Sequence, residues 1–186
     1  MNKQQHTAKI ADLANQYGRQ VFQTAFRLLG DSHLAEDITQ EVFLKLFKKT
    51  PEAFDKILNW PAYLKSMASS SAIDQLRRHK RLSEQPLEPG ENQTSSLGNQ
   101  EAKDPFGHLA TQRDLASFRK ALTALTAQDA QVFCLRHVEE MSYREIADLL
   151  DISTSLVGVT LHRAQQKLSQ LLGESQFLGA GYEITG

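Results

Sequence analysis

The sequence has few of the features that mark secreted, membrane-bound or disulfide-linked proteins. Its single cysteine, Cys134, excludes an internal disulfide. No apolar run follows the first three residues that would serve as a signal peptide or a membrane span, and we therefore expect a cytoplasmic protein without membrane insertion. Long stretches of alternating β-branched residues are also missing, so the chain is predicted to be mostly helical.

An excess of positive charge is missing as well, because the formal net charge is only −1 over 186 residues. Such a total argues against a nucleic-acid binder, but it conceals how the charges are distributed. Residues 1–82 contain 13 Lys and Arg against 8 Asp and Glu, residues 83–110 contain 1 against 5, and residues 111–186 contain 7 against 9. The N-terminal part is therefore basic, and the middle of the chain is acidic.

Three helices are predicted in the basic N-terminal part from apolar residues at helical spacing. The first ends at Gly30-Asp31-Ser32, which also offers an N-cap to the second. The second continues over residues 33–49 and is ended by Pro51. The third begins at Asn59-Trp60-Pro61 and runs into the basic stretch RRHKR at residues 77–81, so one helix joins an apolar face to a basic end.

Residues 83–104 are rich in Pro, Gly, Ser, Asn, Gln and Glu, and their two isolated leucines are too few to bury against a core. We predict a flexible, acidic linker over residues 83–110. The predicted fold class is therefore all-α, with two small helical domains over residues 1–82 and 111–172. Residues 173–186 form a Gly-rich tail to which no role is assigned.

The segment REIADLLDISTSLVGVTLHRA in the C-terminal part has the rhythm of two short helices that meet at a tight turn. Such a helix-turn-helix needs a small residue at the helix crossing, which Ala147 supplies. Asp151 tolerates the turn backbone, and Ser153 is a suitable N-cap for the second helix. A DNA-binding unit and a plain helical hairpin both fit this segment. The second helix carries almost no positive charge, although a helix in a major groove approaches phosphates on both sides.

Three stretches resemble the bacterial RNA polymerase sigma factors of the sigma-seventy family, in the compact extracytoplasmic-function group. RLLGDSHLAEDITQEVFLKLF is similar to the family pattern RLLGDxxxAEDxxQEVFLxxW, and AYLKSMASSSAIDQLRRHKR is similar to AWLxxIARNxAIDxLRRxxR. SYREIADLLDISTSLVGVTLHRAQQKL is similar to SYxEIAxxLGIPxGTVKSRLHRAxxxL. The resemblance covers residues 10–82 and 112–172. Two unrelated signatures, one in each part and in the right order, are more specific for the family than either signature alone.

The resemblance implies a sigma factor that binds core RNA polymerase, recognises two promoter elements and helps to melt the DNA. In this family the helix with the AEDxxQEVF pattern binds the largest polymerase subunit, and the matching residues here are Asp37, Gln40 and Glu41. Their i, i+3 and i+4 spacing places them on one helix face. Without the resemblance, a solvated acidic helix face would be the simpler interpretation.

The third helix is implied to read and open the downstream promoter element, which requires cations for the phosphates and a platform for an unstacked base. This chain has Tyr63 where the family has Trp, and Ser69 and Ser70 where it has an Arg-Asn pair, so base preference is open. Trp60 is more simply a core residue than a stacking surface. The implied DNA-binding residues are Tyr63, Ser70, Asp74, Arg77, Arg78, Lys80 and Arg81.

The second helix of the helix-turn-helix is implied to read the upstream promoter element. Gly158 and Thr160 stand where the family pattern has Lys and Arg, and a glycine inside a helix costs about 1 kcal/mol relative to alanine. We therefore expect upstream recognition that is unusual in sequence or weaker than typical. The implied DNA-binding residues are Ser153, Thr154, Ser155, Gly158, Val159, His162 and Arg163.

The sequence contains no pattern for a catalytic site, a nucleotide-binding loop or a cofactor, and no enzymatic activity is expected. Cys134 and His137 lack a second pair of ligands, so a core thiol and a surface histidine are expected rather than a metal site. The predicted partners are core RNA polymerase, promoter DNA and an anti-sigma factor. A protein-interaction module without independent promoter reading is the alternative, but it has no need of the basic run at residues 77–81. A dimeric repressor would leave the AEDITQEVF helix without a role.

Overall fold

The computed structural model describes residues 3–84 and 112–173, and every regular element within these ranges is a helix. The predicted all-α fold class is therefore confirmed. None of these described helices is both long enough and apolar enough to cross a membrane. The N-terminal unit contains α1 (Lys3–Leu29), α2 (Ser32–Phe47), α3 (Pro51–Asp55) and α4 (Trp60–Glu84). The C-terminal unit contains α5 (Gln112–Thr123), α6 (Ala127–His137), α7 (Tyr143–Leu150) and α8 (Thr154–Leu172).

Local capping explains where two of the N-terminal helices begin. The Asp31 side chain accepts a hydrogen bond from the Leu34 backbone N–H at 2.9 Å, which caps α2 as the sequence predicts. The prediction that the second helix continues to residue 49 and is ended by Pro51 is wrong, because α2 ends at Phe47 and Pro51 is the first residue of the short helix α3. Proline at the first helical position lacks only an N–H that would have no helical partner, and Thr50 caps this turn.

Helices α1, α2 and α4 pack against one another and enclose the core of the N-terminal unit. Val21, Val42 and Leu64, one from each helix, are fully buried. Phe54 brings α3 into the same core, and its ring centroid lies 4.4 Å from that of Trp60. The prediction that Trp60 is a packing residue is thus confirmed.

The C-terminal unit is built around α8, which contacts α5, α6 and α7. Val132 of α6, Ile146 of α7 and Val157 of α8 are fully buried and belong to one apolar cluster. Ala147 is also buried, as expected for the small residue at a helix crossing. The predicted helix-turn-helix is therefore formed by α7 and α8, and α6 supports it from behind.

The two units also pack against each other, mainly through contacts of α4 with α5 and α6. Leu28 and Leu76 of the N-terminal unit share one continuous apolar cluster with Leu122 and Phe133 of the C-terminal unit. The sequence does not predict this contact, because apolar residues at helical spacing do not reveal which element covers them. In this structure the chain is therefore two helical units with a common core between them.

Most of the predicted linker, residues 85–110, and the tail after Gly173 lie outside the described residues. At the near end of the predicted linker, Ser83 and Glu84 continue α4. The domain boundaries at residues 82 and 111 stay predictions.

Candidate nucleic-acid and partner interfaces

One face of α2 carries the residues that the sequence assigns to a partner protein. Asp37 and Gln40 are exposed, whereas Glu41 is half-buried and its Oε1 lies 2.6 Å from Lys45 Nζ. Lys45 also donates a hydrogen bond to Ser71 Oγ of α4 at 2.9 Å, so Glu41 is linked to the contact between two helices. Asp37 and Gln40 are therefore the members of this set that are most open to a partner.

An exposed apolar pair, Leu44 and Phe47, continues the same face of α2. Phe47 lies outside the buried stripe of this helix, which ends with Val42 and Leu46. The helical phase of Leu44 and Phe47 matches that of Gln40 rather than that of Val42, and this signal is present in the sequence. This face of α2 therefore has exposed apolar side chains beside polar ones, which is typical of a protein-binding surface.

The start of α4 presents one partly covered aromatic ring and one exposed aliphatic side chain. Tyr63 is half-buried, with Trp60 at its edge and the Lys49 ammonium 5.3 Å from its ring centroid. This cation occupies a place on the ring where a base would otherwise stack. Leu58, in the turn before α4, is 95% exposed, although the sequence does not single it out.

The predicted cations at the end of α4 differ in how far other protein groups already engage them. Arg77 Nη2 donates a hydrogen bond to the backbone carbonyl of Leu125 in the C-terminal unit at 3.0 Å. Lys80 Nζ lies 4.0 Å from Oε1 of Glu84, one turn further along the helix. Arg78 and Arg81 are exposed and form no ion pair with a described residue. They are the cations of this set most open to a phosphate group.

Ser70 and Asp74 lie on α4 in different surroundings. Ser70 is half-buried, whereas its neighbour Ser69 is fully buried, so Ser70 is the member of this pair with access to solvent. Asp74 is exposed, and its Oδ1 lies 3.6 Å from Arg77 Nη1. Asp74 therefore helps to orient Arg77 along the helix.

Polar contacts join the two units around Glu139. This residue lies in the segment that connects α6 to α7, and its side chain is fully buried. Its Oε1 accepts a hydrogen bond from Thr24 Oγ1 at 2.8 Å and lies 3.5 Å from Arg27 Nη1. Its Oε2 lies 3.0 Å from Lys65 Nζ of α4. A buried carboxylate is tolerated when its charge is paired, so these contacts hold Glu139 against α1 and α4. We call these four residues the Glu139 cluster.

Local hydrogen bonds define the turn between α7 and α8. Ser142 and Glu145 cap α7 reciprocally, and the hydrogen bonds from the Ser142 hydroxyl and N–H lower the pKa of Glu145. Asp151 ends α7 in the left-handed region with φ 54°. Ser153 Oγ accepts a hydrogen bond from the Leu156 N–H at 3.1 Å and caps α8. The predicted turn at Asp151 and the predicted N-cap at Ser153 are thus confirmed, and the cap already engages the Ser153 hydroxyl.

The packing of α8 decides which of its side chains can reach a ligand. Val157, Thr160 and Leu161 are buried against the rest of the C-terminal unit. Thr160, at the position of the family's Arg, therefore lies outside the exposed face. The exposed side chains in the first three turns of α8 are Thr154, Ser155, Leu156, Val159, His162 and Arg163.

Gly158 lies on α8 beside Tyr143, the first residue of α7. A Cβ atom added to Gly158 would lie 3.6 Å from Tyr143 Cε2, which is an ordinary van der Waals contact, so no backbone constraint requires glycine here. The Arg136 guanidinium lies 5.7 Å from the Tyr143 ring centroid. Arg136 and Gly158 thus lie beside the same ring, and the sequence does not single out Arg136.

Arg163 is half exposed, and its guanidinium binds Asp129 of α6 through Nε and Nη2. Nε lies 2.9 and 3.1 Å from the two carboxylate oxygens. These hydrogen bonds, together with the Asp129 charge, raise the pKa of Arg163. Arg163 therefore braces α8 against α6, while its assignment to DNA stays a prediction.

Cys134 and His137 both lie in packed surroundings on α6. Cys134 is buried, and burial raises the pKa of its thiol to about 12, which confirms the expected core thiol. The expectation of a surface histidine is wrong, because the His137 ring is half-buried 4.6 Å from the Phe133 ring centroid. Burial, and then the Arg136 charge, lower the pKa of His137 to about 4. Among the described residues, no three His, Cys, Asp or Glu side chains are grouped to hold a metal ion.

The chain is similar to known proteins over both helical units. The family description Sigma-70 region 2 matches residues 13–82, and Sigma-70 region 4 matches residues 115–168. RNA polymerase sigma factor YlaC of Bacillus subtilis is 28% identical over 173 residues, which are 92% of this chain and 96% of that protein. ECF RNA polymerase sigma factor SigW of the same organism is 25% identical over 166 residues, 88% of each chain. The chain belongs to the sigma-70 family, in its extracytoplasmic-function group.

A solved structure shows the same fold as this sigma factor. It is the sigma factor RpoE in complex with the anti-sigma factor NepR from Bartonella quintana, 20% identical in sequence, with a TM-score of 0.54. The match covers 89% of this chain and 98% of that one. As a sigma factor, the protein binds core RNA polymerase and promoter DNA and directs promoter-specific initiation of transcription. This confirms the predicted function and does not favour the interaction-module alternative.

Proposed function

We propose that this sigma factor uses three helix faces, one to bind polymerase and two to recognise the promoter. The exposed face of α2 binds core polymerase, the basic end of α4 binds the downstream promoter element, and the outer face of α8 binds the upstream element. The observation that carries the proposal is that α2, α4 and α8 each bury an apolar face in the core, whereas Asp37 on α2, Arg78 on α4 and Val159 on α8 are exposed. Packing thus fixes which side chains point outward on each helix.

On α2, the polymerase-binding face consists of Asp37, Gln40 and Glu41 together with the exposed apolar pair Leu44 and Phe47. The carboxylates steer a basic partner surface, and the apolar pair contributes area that is buried on binding. An anti-sigma factor would bind the same face and compete with polymerase. The complex of the relative RpoE with NepR supports such a partner.

On α4, Arg78 and Arg81 make the first phosphate contacts, because both are exposed and without an ion pair among the described residues. Lys65 and Arg77 instead face the C-terminal unit, with Glu139 and the Leu125 carbonyl as their partners. These two cations become available when the two units separate. Tyr63, Ser70 and Asp74 then line the remainder of the downstream-element surface.

The protein has no catalytic activity of its own under this proposal and acts in the cytoplasm, where polymerase and promoters are present. Its contribution is binding energy directed at two DNA elements whose spacing is set by the polymerase. The phosphate contacts supply affinity, and contacts to base edges supply selectivity. Different parts of the sigma factor thus contribute affinity and selectivity to the same binding reaction.

The α2 assignment is tested by binding of the full chain to purified core polymerase. We expect the Asp37→Lys/Gln40→Ala variant to bind about tenfold or more weakly, because it reverses one charge and removes one amide at the interface. Asp12 is an exposed carboxylate on α1, and Asp12→Lys is the matched control that should bind like the wild type. Equal affinities of the two variants would contradict the proposed polymerase-binding face.

A further inference from the structure

The outer face of α8 contains an aliphatic pair where DNA-reading helices usually carry polar and cationic side chains. Leu156 is 39% exposed and Val159 is 60% exposed. We propose that α8 recognises the upstream element through contact of Leu156 and Val159 with the C5-methyl groups of thymines. The proposal rests on the proposed function and specifies which chemical group of the DNA this face reads.

Packing and capping fix the direction in which this pair points. Leu156 and Val159 are three residues apart and therefore share one side of the helix. Val157 and Leu161, which lie on the other side, are buried. The Ser153 cap fixes the first turn through its hydrogen bond to the Leu156 N–H. The pair is therefore held outward by the fold and does not depend on a loop conformation.

The chemistry of the major groove selects thymine as the partner of such a pair. Each base pair presents hydrogen-bond donors and acceptors there, and the thymine methyl is the apolar group on these base edges. Aliphatic side chains offer no donor or acceptor, so against guanine, cytosine or adenine they would displace water without replacing its hydrogen bonds. Against thymine they bury the C5-methyl group, which forms no hydrogen bond with water.

The surroundings of the pair fit DNA as its occupant. The pair is continuous with the helix-turn-helix of the matched region 4, in which the second helix enters the major groove. Thr154 and Ser155 place exposed hydroxyl groups beside it, which suit phosphate oxygens. The Arg136 guanidinium lies 5.7 Å from the Tyr143 ring centroid, and Tyr143 lies beside Gly158. An apolar centre with exposed hydroxyl neighbours matches a base edge flanked by phosphates.

The test removes single methyl groups from the DNA. Promoters are first mapped by run-off transcription with the full chain and core polymerase. Duplexes are then made in which one thymine of the upstream element is replaced by deoxyuridine, which keeps the base pair and lacks the methyl group. At each contacted thymine, the affinity of the polymerase complex should fall about fourfold.

Variants connect the methyl group to the two side chains. In Leu156→Ala and Val159→Ala, the ratio of affinities for thymine and deoxyuridine duplexes should fall towards one at the position that each side chain reads. Leu171 lies near the other end of α8 and is 47% exposed, so Leu171→Ala is a matched control that should keep the wild-type ratio.

The remaining outcomes separate this proposal from the proposed function. Unchanged affinity with deoxyuridine at every upstream thymine, with transcription intact, would overturn methyl reading alone. A deoxyuridine effect that persists fully in both variants would also overturn it, because other residues would then read the methyl. Weaker polymerase binding by Leu156→Ala with unchanged DNA binding would make this face a protein-docking surface instead. Absence of any transcript from the wild-type complex would overturn the proposed function.

Discussion

Lys65 of α4 and Glu139 of the C-terminal unit form an ion pair, with 3.0 Å between Nζ and Oε2. The pair places a carboxylate against a cation on the helix that is assigned to the downstream promoter element. In the same contact, Arg77 donates a hydrogen bond to the Leu125 carbonyl. Two cations of α4 thus have protein partners in the packed arrangement, and DNA phosphates would have to replace those partners.

The Glu139→Gln substitution should weaken the contact between the two units. The amide oxygen can still accept the hydrogen bond from Thr24, but Lys65 and Arg27 lose their charged partner. Both cations are partly exposed, so we expect a loss of about 1–3 kcal/mol in the free energy of unfolding. Denaturant unfolding measures this loss, and small-angle X-ray scattering should show a larger radius of gyration.

Glu140 provides a matched control, because it is the next residue, carries the same charge and is exposed. Glu140→Gln should leave both the unfolding free energy and the radius of gyration close to those of the wild type. If Glu139→Gln behaves like Glu140→Gln, the Glu139 cluster does not hold the units together in solution.

Gly158 weakens α8 without a steric reason, and its substitution should therefore be tolerated. Gly158→Ala is expected to raise the free energy of unfolding by about 1 kcal/mol, since the added Cβ meets only ordinary van der Waals contact with Tyr143. Gly158→Lys should strengthen upstream binding and steepen the plot of log affinity against log salt by about one unit. Thermal or denaturant unfolding and salt-dependent binding of the polymerase complex measure the two effects.

Gly18 serves as the control glycine, because it lies inside α1 and an added Cβ there meets no atom within 4 Å. Gly18→Lys should not change the salt dependence of upstream binding. A lower stability of Gly158→Ala would show that the glycine is needed for a close approach, against the present assignment.

Arg163 and Asp129 should act together on stability. Arg163→Ala and Asp129→Asn each remove charge from the same contact, so both variants are expected to lower the midpoint of thermal unfolding. Adding the second substitution to the first should lower it little further. Calorimetry on the two single variants and the double variant tests this. Weaker upstream binding by Arg163→Ala with an unchanged midpoint would instead assign Arg163 to DNA.

His137 should make the stability of the fold depend on pH. Its folded pKa of about 4 lies below its ordinary value of 6.5, so the unfolded state binds more protons between these pH values. The free energy of unfolding should therefore fall as the pH falls through this window. For a half-buried ring this contribution is about 1 kcal/mol once solvent screening is included.

Denaturant titrations of the wild type and of His137→Gln at several pH values from 7 to 4.5 isolate this contribution. The variant should lose part of the acid sensitivity, whereas His162→Gln, at an exposed histidine, should keep it. The same slope for the wild type and His137→Gln would show that burial of His137 does not control this pH dependence.

Local features of the fold were predictable because few neighbouring residues decide them. Asp31 and Ser153 are N-caps because each side-chain oxygen meets a backbone N–H three residues ahead. Asp151 ends α7 because a short polar side chain tolerates left-handed backbone. Pro51 misled the prediction since proline is compatible both with the end of one helix and with the first residue of another.

Features that depend on distant residues were not predictable from the sequence. Thr24 and Glu139 are hydrogen bonded although they lie 115 positions apart. The stretch HVEEM gives no sign that Glu139 is buried and Glu140 exposed. For the candidate site, the sequence predicts Arg163 as a DNA ligand, but only the packing of α8 on α6 reveals its partner Asp129.

Run-off transcription tests the central claim most directly. Purified core polymerase transcribes a pool of genomic fragments alone, with the wild-type chain, with Arg78→Ala/Arg81→Ala, or with Arg19→Ala/Lys167→Ala, which removes two exposed cations elsewhere. We predict discrete new transcripts with the wild type and with the control variant. The Arg78→Ala/Arg81→Ala variant should bind polymerase but lose these transcripts. Stable binding of the wild type to polymerase without any new transcript would contradict the assignment of the protein as a promoter-specific sigma factor.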